Sequence, residues 1–114
     1  MKVYGIKNCD TVKKVLNWLN ENKVEYEFHD FKKLGISEEK LEEWNAKLGW
    51  ESLLNKKGTT WKKLDPEAQN SVVDARSAYQ LMMDKTSVIK RPVVEKGEAL
   101  VLGFNPDALE NLVR

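Results

Sequence analysis

Thiol chemistry has little material in this chain: its 114 residues hold one cysteine, Cys9. An internal disulfide is therefore impossible, and a zinc site built from several cysteines cannot form. Histidine is as scarce. His29 stands alone, so no Cys–His–His cluster can assemble. Neither sign of charge dominates, with 19 Lys and Arg against 18 Asp and Glu. That balance removes the broad positive field of a general nucleic-acid binder and leaves only local patches. Long apolar runs are missing, and no stretch is suited to span a bilayer. Met1-Lys2-Val3-Tyr4 runs straight into strand-like sequence, without the apolar segment and small-residue cleavage site of a secretory signal. A lone cysteine makes a reducing cytoplasm the expected compartment. Neither a membrane nor direct nucleic-acid contact is expected. No internal repeat, linker or low-complexity tract interrupts the chain.

What is present suits one folded domain. A hydrophobic fraction of 41% and four tryptophans are enough for a real core at this length. The chain is organised around Lys7-Asn8-Cys9-Asp10-Thr11-Val12-Lys13-Lys14, which follows a short strand at 2–6 and opens a helical pattern. In that helix Val12, Val15, Leu16 and Leu19 share one face. Asn8 or Asp10 is its expected cap. A thiol at a strand-to-helix turn meets backbone N–H groups and the positive end of the helix dipole, which favour a nucleophilic thiolate. On spacing alone the alternative, a small buried hydrophobe, is as good a reading.

Val24, Tyr26 and Phe28 alternate with Glu25, Glu27 and His29, the period of a half-buried strand. Strand, helix and strand within about 30 residues make a βαβ unit with parallel strands. The middle is helical. Ser37 caps a helix with Leu41, Trp44 and Leu48 on its buried stripe, and Gly49 stops it. Residues 50–54 form a short helical turn, and Lys56-Lys57-Gly58-Thr59-Thr60 a basic loop. Asp65-Pro66 starts a longer helical pattern through Val72, Ala75, Ala78, Tyr79 and Met82. Met82-Met83 reads as core filling.

The period then changes. Val88–Val94 is a β-type run broken by Pro92, residues 95–98 turn, and Ala99–Gly103 returns as a second strand. Asn105-Pro106 starts a last helix with Leu109, Leu112 and Val113 on one face. The expected fold is α/β: a thioredoxin-like βαβ…ββα mixed sheet, one domain over 1–114 with a helical insertion at roughly 35–85. In that arrangement a reactive cysteine follows the first strand, where Cys9 is, and a proline precedes the third, where Pro92 is.

Three ordered motifs carry a resemblance along almost the whole chain: Tyr4-Gly5-Ile6-Lys7-Asn8-Cys9-Asp10-Thr11, then Leu53-Leu54-Asn55-Lys56-Lys57-Gly58-Thr59-Thr60-Trp61, then Ile89-Lys90-Arg91-Pro92. They resemble the arsenate reductase/Spx family, and within it the small arsenate-reductase-like proteins described as glutathione-dependent thiol reductases. The resemblance implies Cys9 as the catalytic nucleophile and Pro92 as the fold's cis-proline. It implies Arg91 as the arginine that holds an oxyanion or covalent adduct. Asn8, Asp10, Thr11, Lys13 and Lys57 are the further expected anion- or substrate-binding residues. No bound cofactor or metal is implied. Glutathione is the expected co-substrate, with a glutaredoxin or a protein thiol as a further partner. The other reading the resemblance carries is an Spx-like, non-enzymatic module contacting RNA polymerase or another protein.

The departures from that pattern shape the chemistry. Family arsenate reductases use further arginines where this chain has Asn55, Lys56 and Lys57, and again where it has Gly103-Phe104. A lysine supplies a point charge where an arginine supplies a fork. Spx-type regulators carry a second cysteine at the position of Val12, so a dithiol switch cannot form here. Gly5 stands where some arsenate reductases have a histidine. Arg91, Lys7 and Lys13 are the cations expected to stabilise the Cys9 thiolate. Capping is the simpler role for Asp10 and Thr11, and a solvated loop the simpler one for Lys56-Lys57. Trp44, Trp50 and Trp61 read as core and cap residues, His29 as a partly packed strand residue, and 38–43 as a solvated helix face.

Overall fold

The computed structural model describes Met1–Arg114 and divides into two compact units, Met1–Leu34 with Arg91–Arg114, and Gly35–Lys90.

The first unit is built on a four-stranded mixed sheet in the order β2-β1-β3-β4, with β1 Lys2–Gly5, β2 Glu27–Asp30, β3 Val93–Lys96 and β4 Ala99–Leu102. The β1–β2 pair is parallel, and the β1–β3 and β3–β4 pairs are antiparallel. Register aligns Phe28, Val3, Val94 and Val101 in one row across all four strands. On that row pack Val15 and Leu19 of helix α1 (Asp10–Glu21). Leu109 and Leu112 of α8 (Pro106–Val113) complete the cluster. Full burial of a leucine such as Leu19 or Leu109 contributes about 1.5–3 kcal/mol. Helix α8 starts as its sequence indicates: Asn105 Oδ1 accepts from the Ala108 N–H at 3.1 Å, and Pro106 occupies the first turn.

One expectation for this unit needs correction. The strand at 24–29 forms only from Glu27. Lys23 has φ 56°, and the Val24 N–H donates to the Leu19 carbonyl at 2.9 Å, so the chain is still closing α1 there. Val24 and Tyr26 nevertheless pack against the core. Beyond β2 the chain makes an unanticipated helical turn, α2 (Phe31–Leu34), whose Lys32 N–H donates to Asp30 Oδ1 at 2.9 Å.

The second unit is helical. In α3 (Glu38–Leu48) Ser37 Oγ accepts from the Lys40 N–H at 3.1 Å, Leu41 and Trp44 are buried, and Gly49 ends the helix at φ 83°, a conformation glycine adopts freely. Short turns α4 (Trp50–Leu53), α5 (Thr59–Lys62) and α6 (Pro66–Asn70) follow, and then α7 (Ala75–Asp84). The basic loop is shorter than its composition suggests, because Thr59 and Thr60 enter α5 after Gly58. The helical pattern after Asp65 is two helices. Asp74 accepts from the Ser77 N–H at 2.9 Å and Ser77 Oγ accepts from the Asp74 N–H at 3.1 Å, a reciprocal cap that restarts the chain and leaves Val72 outside. Met82 is buried, but Met83 is 36% exposed and fills no core. Val88-Ile89-Lys90 is not part of β3. Thr86–Val88 is a 3-10 turn, and Ile89 bridges Leu54 through the Lys90 N–H to Leu53 carbonyl bond of 2.7 Å. Pro92 has no N–H for the ladder, and β3 begins at the next residue. No helix is long and apolar enough to cross a membrane.

Candidate active site

Strand directions gather four segments of the sheet unit at one edge. The parallel strands β1 and β2 both end there, antiparallel β3 begins there, and β4 ends there. The edge therefore carries the Lys7–Cys9 turn, the Asp30–Leu34 segment, Arg91-Pro92 and Gly103-Phe104. The Gly103 N–H donates to the Pro92 carbonyl at 2.9 Å. Loops beyond the carboxyl ends of parallel strands are where such sheets place their ligands.

Cys9 is half-buried and is itself the N-cap of α1, with extended backbone at φ −112° and ψ 124°. Its carbonyl accepts the first helical bond, from the Lys13 N–H at 3.0 Å. Neither Asn8 nor Asp10 is the cap: Asn8 lies before it and Asp10 is the first helical residue, both exposed. As a thiol, Cys9 forms no capping hydrogen bond. Burial raises its pKa, but four effects together outweigh this and hold it below the ordinary value: the Val12 N–H, a hydrogen bond from the Arg91 side chain, the Thr11 N–H and the Arg91 charge. These groups meet a sulfur that points at the opening turn of a twelve-residue helix, where the helix dipole also favours the anion.

The structure thus brings together Cys9, Thr11, Val12 and Arg91. The Arg91–Pro92 peptide bond is cis. Of the cations expected at the thiol, Arg91 acts on it, while Lys7 and Lys13 are exposed and are not among the groups that shift it. Lys57 belongs to the helical unit, where its N–H donates to Asn55 Oδ1 at 3.2 Å, and Lys56 Nζ lies 5.4 Å from the Trp61 ring centroid. His29 packs in an aromatic group, its ring 4.7 Å from Tyr4 and 5.9 Å from Phe31.

Val12 was not among the residues expected at the site. Its N–H is the largest favourable influence on the thiolate, and its side chain is fully buried beneath the turn. The signal was its position: an N-cap side chain faces the amide three residues on. The chain holds only three arginines, Arg76, Arg91 and Arg114. Of these, Arg91 is the one that acts on Cys9, by hydrogen bond and by charge.

A thiol capping the first helix of a βαβ unit, with an arginine and a cis-proline opening the third strand beside it, defines a thioredoxin-like thiol protein. The ArsC family model matches residues 4–112, and the chain belongs to the ArsC family. Among solved structures it is similar to the YffB (PA3664) protein, with 46% identity, a TM-score of 0.93 and coverage of 99% of this chain and 98% of that one. It is also similar to an arsenate reductase (ArsC) related protein from Brucella melitensis, at 43% identity, TM-score 0.75, and coverage of 99% and 93%. A more distant relative is the regulatory protein MgsR of Bacillus subtilis, 26% identical over 111 residues, 96% of this chain and 86% of that one. At the level of the family, the fold is that of thiol-dependent, arsenate-reductase-like proteins.

Proposed function

We propose that the chain is a monothiol reductase that uses glutathione as its external thiol, with Cys9 as nucleophile. The observation that carries the reading is the paired stabilisation of the Cys9 thiolate by the Val12 N–H and Arg91 in a chain without a second cysteine. The Cys9 thiolate attacks the glutathione sulfur of a mixed disulfide. A Cys9–glutathione disulfide forms, the old S–S bond breaks, and the other thiol leaves as a thiolate that takes a proton from solvent. A second glutathione thiolate then attacks the glutathione sulfur of the adduct, releasing glutathione disulfide and restoring the Cys9 thiolate. One glutathione thiol is oxidised for each substrate thiol released, because the other sulfur of glutathione disulfide entered already at the disulfide level. Arg91 holds negative charge near the sulfur through both exchanges.

Disulfides fit this edge better than arsenate. A tetrahedral oxyanion is best held by several arginine forks, and this chain sets one arginine at the thiol. The kinship with MgsR favours a second reading, in which the same surface contacts RNA polymerase or another protein without turnover. Glutathione-coupled reduction of a glutathione–cysteamine mixed disulfide separates the two. Wild type should turn over and Cys9→Ser should not. Equal, slow rates in both proteins would remove the enzymatic reading.

A further inference from the structure

The two outer strands of the sheet unit are unlike. The order β2-β1-β3-β4 leaves β2 and β4 each with one unpaired side. β2 carries Glu27, His29 and Asp30 and runs directly into α2, and charge on an outer strand discourages a further one. β4 is Ala99-Leu100-Val101-Leu102, with no charge, no proline and no bulge in its register. A tight turn, Gly97-Glu98 with Gly97 at φ 59°, joins it to β3 and sets Lys96 opposite Ala99. At its far end the Gly103 N–H donates to the Pro92 carbonyl at 2.9 Å. Backbone groups alternate sides along a strand, so Ala99 and Val101, like Gly103, face β3. The N–H and C=O groups of Leu100 and Leu102 therefore point to the open side, and no other segment's backbone bonds to them.

Those open groups match a second copy of the same strand. Antiparallel pairing about a two-fold axis at Val101 sets Leu100 opposite the partner's Leu102, and Leu102 opposite the partner's Leu100. Both are hydrogen-bonded pairs, so every open N–H and C=O of the two leucines finds a partner, and Val101 meets its own copy between them. Val101 faces the core with Val94, so Leu100 and Leu102 lie on the other face of the sheet, where both are half-buried. In this register they form apolar cross-strand pairs with the partner's leucines. Charge does not oppose the approach. Glu98, beside β4, falls opposite the partner's Phe104 and roughly 20 Å from its own copy, beyond the screening length of about 8 Å. Phe104 is itself 39% exposed. We propose that the β4 edge is a strand-pairing interface with a second copy of this chain, which joins two four-stranded sheets into one. So short a pairing buries less than the roughly 800 Å² per partner of a stable interface, so the dimer is weak and depends on concentration. The inference goes beyond the reductase reading and stands whether or not Cys9 turns over.

Sedimentation equilibrium and backbone amide resonances of the wild-type chain, followed up to about 1 mM, the range of weak association, test this. Dimers should form as concentration rises, and the Leu100 and Leu102 amides should shift and gain protection from exchange. Leu100→Lys/Leu102→Lys sets like charges directly opposite and should weaken dimerisation at least about ten-fold. Leu100→Glu/Leu102→Glu should do the same alone. Mixing the two variants should restore dimers, because each lysine then faces a glutamate. Leu102→Pro removes an outward N–H without touching the β3 ladder, and should also weaken the dimer if a charged variant does not fold. A chain monomeric to about 1 mM, or dimers that the charged variants and Leu102→Pro leave intact, overturns the proposal. So does a monomeric chain whose Leu100 and Leu102 amides are protected only by an unrelated extended peptide, acetyl-Thr-Val-Thr-Val-amide, since that edge would pair with strands other than its own.

Discussion

Gly5 and Val12 are fitted to each other beneath the Cys9 turn. A Cβ on Gly5 would meet Val12 Cγ2 at 2.8 Å and Cγ1 at 3.4 Å. Val12 is fully buried and β-branched in a helix, where one χ1 rotamer dominates, so it cannot swing aside cheaply. Gly5→Ala should therefore destabilise by about 1–3 kcal/mol through overpacking. Val12→Ala alone should also destabilise, through the cavity it leaves. The double variant should be more stable than the sum of the two losses, by at least about 0.5 kcal/mol, because each change makes room for the other. Urea unfolding of the four proteins measures this, and strict additivity would show that the contact is not limiting.

This pair also shows what could be read in the residues before any coordinates. Glycine before the turn and valine at the second-thiol position were both visible, but each as an absence, of a histidine and of a cysteine. Their contact exists only once β1 and α1 pack. Helices α3 and α8 were legible because apolar period and terminal residues agree at each, and α1 by its apolar period alone, since its cap is Cys9 and neither Asn8 nor Asp10. The break between α6 and α7 was not, because Val72 continues the period of Ala75, Tyr79 and Met82 while the Asp74–Ser77 cap interrupts it. The Val88–Val94 run misled for a related reason: β-branched composition marks extended backbone, not which partner it pairs with. Helix Phe31–Leu34 is too short to announce itself by period.

Arg91 acts on Cys9 by hydrogen bond and by charge, and both favour the ionised sulfur. In iodoacetamide alkylation the midpoint for wild type should lie below the free-cysteine value of about 8.5. Arg91→Ala should move it upward and slow alkylation at pH 7. Arg91→Lys should fall between, since a lysine keeps the charge and loses the fork. Lys13→Gln should leave the midpoint in place, because Lys13 does not act on the sulfur. A midpoint in Arg91→Ala equal to wild type would show that the backbone amides alone hold the thiolate.

The same interaction makes stability depend on pH. The Cys9 pKa is lower in the folded chain than in the unfolded one, so the unfolded state binds more protons between the two values. Its contribution is absent below the folded pKa, grows as pH rises through it, and is complete above the unfolded value near 8.5. The stability of wild type relative to Cys9→Ser should therefore rise with pH across that window and then level off. Denaturant titrations at a series of pH values check the sign, and a difference that shrinks with rising pH would mean burial outweighs the Val12 and Arg91 contacts.

Val12 occupies the place where a second thiol would make the site self-resolving. It is the third helical residue after the Cys9 cap, and a cap side chain faces that position. Val12→Cys keeps a small, buried side chain and should cost about 1 kcal/mol in lost packing. On oxidation the variant should lose both free thiols and form an intramolecular disulfide, whereas wild type accumulates the glutathione adduct at Cys9. With a dithiol reductant and no glutathione, the variant should then reduce the glutathione–cysteamine mixed disulfide by releasing its adduct internally. Intact-mass measurement and thiol counting on oxidised samples distinguish the two forms. If the variant still carries glutathione on Cys9 and a free second thiol, then the buried position at 12 cannot reach the Cys9 sulfur, and dependence on an external thiol reflects geometry as well as the missing cysteine.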